Sequence, residues 1–269
     1  MDGKRVCYNV CILEGLKELF INPDYRKVDR LTPIHGIWLF LGWGIIFLSL
    51  SLLVGPTMTE RLEQGEIWVD ILAVQLPLFL FCCIFMVIAH MKFSDLKLKA
   101  LRLAEWMAAP LMSIAALIGA VAVLIPVVMS QLILTPDAFS ESLKQVKVLQ
   151  EAIIPGSGAE LAFNLVLLAV IPAVVEEFFF RGLVMDAFMK FGPIWAILIS
   201  SVSFGISHQM PLRIPSLILV GILLAMFKYR TGKLTASIAM HVIYNAILIT
   251  LSYFANGAID GDMLSFIGI

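Results

Sequence analysis

The sequence predicts an all-α protein, a polytopic transmembrane bundle of about seven spanning helices with short interfacial helices beside them. Three observations carry that expectation. Of the 269 residues, 60% are hydrophobic, and the mean hydropathy is +0.95. Only 14% are charged, against roughly 25% in soluble domains, which leaves too little polar surface to cover a water-soluble globule. The apolar residues also gather into runs near the length of about 20 residues that a membrane-spanning helix needs. The formal net charge of −1 gives no basis for a nucleic-acid partner, since no basic excess exists to displace counterions. The same composition rules out a disordered chain and a secreted disulfide scaffold.

Residues 1–33 mix both charge signs and read as a cytoplasmic or interfacial N-terminal segment, with no cleavable signal peptide expected. Val6, Val10, Leu13, Leu16 and Phe20 recur at helical spacing, with Glu14, Lys17 and Glu18 off that stripe, as in a helix lying in the membrane surface. Cys7 and Cys11 read as small apolar residues, with lipidation as the alternative. The four cysteines show no zinc-ribbon spacing.

Residues 34–160 hold the N-terminal membrane helices, with spans expected at Ile34–Val54, Ile67–His90 and Met107–Met129. A second interfacial helix follows. It carries Phe139, Leu143, Val146, Leu149 and Ile153 on one stripe, begins at Thr135-Pro136-Asp137 and stops at Gly156 and Gly158. A lid over a site is its alternative role. Residues 161–253 hold four more expected spans: Leu161 through Arg181 to Lys190, Pro193–Gln209, Ile214–Tyr229 and Leu234–Tyr253. Residues 254–269 form a tail too short to cross. Lys and Arg divide 15 to 4 between the two sides of this arrangement, so the positive-inside rule puts the N-terminus in the cytoplasm and the C-terminus outside. The expected setting is a plasma or inner membrane.

Inside a bilayer the informative residues are the ionisable ones, because a charge at a helix centre costs about 2.5–3.5 kcal/mol on insertion scales. Three stretches stand out: Glu176-Glu177-Phe178-Phe179-Phe180-Arg181, Phe204-Gly205-Ile206-Ser207-His208 and His241-Val242-Ile243-Tyr244-Asn245. Glu177 and Arg181 are four apart in the favourable order and can pair, which leaves Glu176 without a partner of its own. Phe204 and His208 share a helix face, as do His241 and Asn245. From Gly192, Glu176 lies 16 residues upstream and His208 16 downstream, roughly 24 Å along each helix. In an antiparallel pair, equal offsets bring two residues to one level. His241 and Asn245 lie 9 and 13 residues past Gly232, so a carboxylate, two imidazoles and an amide can converge inside the bundle. Buried polar groups also glue membrane helices together, and His35 and His90 read as interfacial. Two adjacent carboxylates with a single Arg argue for function.

At these residues the sequence resembles the CPBP (or ABI) intramembrane proteases, which include the type II CAAX prenyl endopeptidases. Their EExxxR, FxxxH and HxxxN motifs read here as EEFFFR (176–181), FGISH (204–208) and HVIYN (241–245), in the same order. The likeness spans roughly the C-terminal 110 residues, and the N-terminal half resembles nothing beyond generic membrane helices. It implies an α-helical membrane endopeptidase acting on membrane-associated proteins or peptides, of glutamate type and without metal. By the same resemblance, Glu176 is the catalytic base and polarises a water together with His208. His241 and Asn245 stabilise the oxyanion, Glu177 and Arg181 support the site, and Phe204 packs the helix carrying His208.

Two other readings stay open. Glu176, His208 and His241 make a possible zinc ligand set with a fourth position for water, although no HExxH is present. A membrane scaffold, immunity factor or transporter could also use the polar cluster as a structural knot. A transporter would more naturally show repeated halves, and none are found.

Overall fold

The computed structural model describes residues 30–54, 67–137, 139–140, 142–144 and 154–255. The first expected surface helix, Cys7 and Cys11, most of the second surface helix and the C-terminal tail lie outside the described residues. Within them the fold is an all-α polytopic bundle. Its helices are α1 (Pro33–Val54), α2 (Ile67–Ile88), α3 (Leu103–Leu134), α4 (Gly158–Phe191), α5 (Pro193–Ser207), α6 (Ile214–Thr231) and α7 (Leu234–Ala255). The large apolar side chains that face outward, Leu41, Ile45 and Leu48 on α1 among them, face lipid, so the usual inside-out rule of soluble proteins does not apply.

Six candidate spans stand where about seven are expected. Among the described residues six helices are long and apolar enough to cross a membrane, and α5 is not one of them. Its 15 residues rise about 22 Å, short of the ~30 Å hydrocarbon core. The chain ends α5 early for local reasons. Gln209 adopts a left-handed φ of 53°, its N–H returns to Ile206 O at 3.1 Å, and Pro211 follows, which cannot continue a helix. The turn at 208–213 follows at once. The third span is longer than expected, running Leu103–Leu134 instead of Met107–Met129.

Helix α4 is the centre of the bundle. Ser157 caps its N-terminus: Glu160 N–H donates to Ser157 Oγ at 3.2 Å, and Glu160 Oε2 accepts from Gly156 N–H at 2.8 Å. Two π-helical stretches interrupt it, Leu165–Val170 and Phe178–Met185. Every residue of the second is buried, which suits a run that is apolar nearly all round. The C-terminal half of α4 packs against α1, α2, α5 and α6, while α3, α6 and α7 form a second core around Leu224 and Met240. Gly192 (φ 96°) and Gly232 (φ 68°) make the turns from α4 to α5 and from α6 to α7.

That last turn is tied to the start of α3. Lys233 Nζ pairs with Glu105 Oε2 at 2.5 Å, and Glu105 also caps α3 by accepting from Arg102 N–H at 2.7 Å. The described part of the second surface helix, at 136–137, 139–140 and 142–144, is helical. Its Phe139 is buried with Leu124, Val128 and Leu212, which brings this segment onto the α5–α6 turn.

Helices α5 and α6 approach closely through small residues. A Cβ on Gly221 would lie 3.1 Å from Ser201 Cα and 3.3 Å from Arg181 Nη2. Gly221→Val is therefore expected to lower stability by about 1–3 kcal/mol through overpacking, read as a drop in thermal unfolding temperature of the detergent-solubilised protein. An unchanged midpoint would show that α5 and α6 can separate freely at this level.

Candidate active site

Adjacent residues on α4 send their side chains to different places. Glu177 turns inward and is fully buried. Its Oε1 accepts from Arg181 Nη1 at 2.7 Å and from His241 Nδ1 at 3.0 Å. Arg181, also fully buried, donates through Nη2 to Gly221 O at 3.0 Å and lies 4.5 Å from the centroid of the Phe204 ring. Two charges removed from water in this way need each other and nearly every available donor and acceptor.

Glu176 faces a cavity instead. Gln75 Nε2 on α2 donates to its Oε1 at 3.0 Å, and its Oε2 lies 4.0 Å from His208 Nε2. The expectation that Glu176 has no partner of its own is thus corrected: Gln75, 8% exposed, supplies one from a helix that contributed no candidate residue. The sequence signal was a lone amide within an apolar run, indistinguishable from helix glue.

His208 hangs on the frayed end of α5. Its Nδ1–H donates to Phe204 O at 2.8 Å, a carbonyl that also accepts from Ser207 Oγ. Helix C-terminal carbonyls lack intrahelical donors, so this bond satisfies α5 and orients the ring together. In the neutral imidazole it leaves Nε2 as an acceptor, turned toward Glu176. Phe204 is buried beneath, edge-on to His208 (centroids 4.7 Å) and to His241 (5.6 Å). It keeps the two imidazoles apart as well as packing the helix.

Asn245 has a backbone reason to be there. Pro172 has no N–H to return to Leu168 O four residues back, and Asn245 Nδ2 donates to that carbonyl at 3.4 Å. The same mending of broken helices by neighbouring polar groups is general in membranes.

The cavity measures about 240 Å³. Glu176, Phe204, His208, His241 and Asn245 all line it, whereas Glu177 and Arg181 stand behind its wall. All seven candidate residues therefore gather in one region, in two layers. Arg213 and Tyr244 also line the cavity and were not singled out from the sequence as site residues. A further pair missed by spacing is Lys228 Nζ with Asp186 Oδ1, 2.7 Å apart and buried, with Lys228 also donating to Arg181 O. Beside it, in the connection before α3, burial pushes the Lys97 ammonium down to about 8 while the Asp186 carboxylate pulls it back up.

The zinc alternative finds no ready ligand set. Among the described residues no group of three His, Cys, Asp or Glu side chains is disposed to hold a metal ion.

Residues 158–247 match the family model described as type II CAAX prenyl endopeptidase Rce1-like, so a domain of that kind is present over this part of the chain. The match contains all seven candidate residues and excludes Gln75. Neither the curated proteins nor the solved structures compared with the chain gave a match.

Proposed function

We propose that this chain is an intramembrane endopeptidase that hydrolyses peptide bonds of membrane-associated proteins or peptides with a water activated by Glu176 and His208. The observation that carries the proposal is the facing pair, Glu176 Oε2 and His208 Nε2, 4.0 Å apart on the wall of the cavity and within the matched segment. A water in that gap donates one hydrogen to each acceptor, which turns its lone pairs toward the cavity. As its oxygen attacks the peptide carbonyl, Glu176 takes the proton and returns it to the leaving amine. Asn245 uses one amide hydrogen on Leu168 O and offers the other to the oxyanion. His241, with Nδ1–H held by Glu177, can only accept at Nε2 when neutral. Donation from Nε2 to the oxyanion therefore requires a second ring proton, with the Glu177 carboxylate accepting at the far nitrogen. No step requires a metal. The N-terminus is cytoplasmic in this reading, in a plasma or inner membrane, and residues 161–253 form the catalytic core.

The test compares cells carrying the wild type with cells carrying Glu176→Gln at equal abundance, by mass spectrometry of membrane-associated and released peptides. A membrane protein cut only in the wild type supports the proposal. Identical peptides, with any wild-type phenotype retained by the variant, would leave a scaffold.

Gln75 is a positioning residue in this scheme, acting through Glu176. Hydrogen bonds to charged groups contribute about 1.5–3 kcal/mol, so Gln75→Leu is expected to lower kcat roughly tenfold while KM stays within about twofold. Steady-state kinetics on the substrate so identified read this split. A matching rise in KM with kcat unchanged would place Gln75 in substrate binding instead.

A further inference from the structure

Among the described residues Arg213 is the one lysine or arginine lining the cavity. Among the described residues its side-chain hydrogen bond goes to Met210 Sδ at 3.9 Å, the Tyr244 phenol shares the cavity wall with it within electrostatic reach, and no carboxylate pairs with it. It stands at the N-cap of α6, the positive end of the helix dipole, where a cation is disfavoured. It lines a cavity whose walls are mostly apolar, and a charge without a counter-ion in such surroundings is expensive. Arg181 and Lys228, both fully buried, each have an acidic partner at 2.7 Å.

The surroundings say what it awaits. Leu217, Val220, Leu248 and Ile249 give the cavity apolar walls, and Arg213 lines the same cavity as His208. Glu176 puts negative charge on the same cavity. An anionic group is repelled there and drawn to Arg213, so a ligand that is apolar with one carboxylate has a single favourable orientation.

We infer that Arg213 binds a carboxylate of the peptide substrate, either its C-terminal α-carboxylate or an acidic side chain close to the scissile bond. This rests on the endopeptidase reading for the word substrate, but the binding itself can be tested without cleavage. Three N-acetylated apolar tetrapeptides serve as probes: the free acid, the C-terminal amide, and the amide with Asp at the penultimate position. Binding is measured to the Glu176→Gln protein in nanodiscs, alone and combined with Arg213→Gln or Arg213→Lys.

At least one carboxylate peptide is expected to bind roughly tenfold more tightly than the plain amide, and which one does so identifies the source of the carboxylate. Arg213→Gln should bring the three within about twofold, and Arg213→Lys, which keeps the charge without the planar fork, should retain part of the preference. Equal binding of acid and amide, a preference that survives Arg213→Gln, or no binding by any of the three would overturn the inference. Cleavage by the wild type is scored separately. Carboxylate preference without cleavage defeats the protease reading alone, and cleavage without carboxylate preference defeats this inference alone.

Discussion

Glu176→Gln is expected to lower turnover by about 10²–10⁴, the usual worth of a positioned general base, and to leave the fold intact. Glu176 is partly exposed, 15% at its side chain, and the substituted amide keeps an oxygen that accepts from Gln75. Its thermal unfolding midpoint should therefore stay close to that of the wild type. Single-turnover cleavage and an unfolding scan on the same preparation check both halves. An active variant would remove the base from the mechanism, and an unfolded one would make Glu176 structural.

The neighbouring residue should behave in the opposite way. Arg181→Leu leaves the Glu177 carboxylate buried with only His241 against it, and Glu177→Gln leaves the Arg181 guanidinium buried without a carboxylate. Breaking a buried ion pair from one side costs about 3–5 kcal/mol, a large part of the 5–15 kcal/mol that holds a typical domain together. Both variants are expected to give little monodisperse protein in detergent. Arg181→Lys should also fail, because an ammonium cannot reach Glu177 and Gly221 O together while stacking over Phe204. Wild-type yield and midpoint for any of these would mean that the pair is dispensable to the fold. The two adjacent glutamates thus separate chemistry from architecture.

Much of this arrangement was legible in the sequence because membrane burial makes polar residues conspicuous. Glu177 and Arg181 pair as their i,i+4 spacing requires, and Glu176 and His208, each 16 residues from Gly192, do meet. What was hidden had a physical cause in each case. The π turns in α4 leave no mark on runs that, Arg181 apart, are apolar on every side. The shortness of α5 depends on Gln209 and Pro211, which read only as the margin of an apolar stretch. Gln75 carries no charge, so nothing in its own helix distinguished it from a buried amide with a structural task. Asp186 and Lys228 are 42 residues apart, and no local spacing joins them. His241 had two plausible roles, and its bond to Glu177 narrows them in a way that neither residue alone could.

The central claim is that Glu176 and His208 act on one water as a unit. The most direct test is a double-mutant cycle, with single-turnover cleavage rates for Glu176→Gln, His208→Gln and the pair of substitutions together. Residues that work as a unit are strongly non-additive, so the double variant is expected to be scarcely slower than the slower single one. Losses that multiply would contradict the claim and assign the two residues independent tasks.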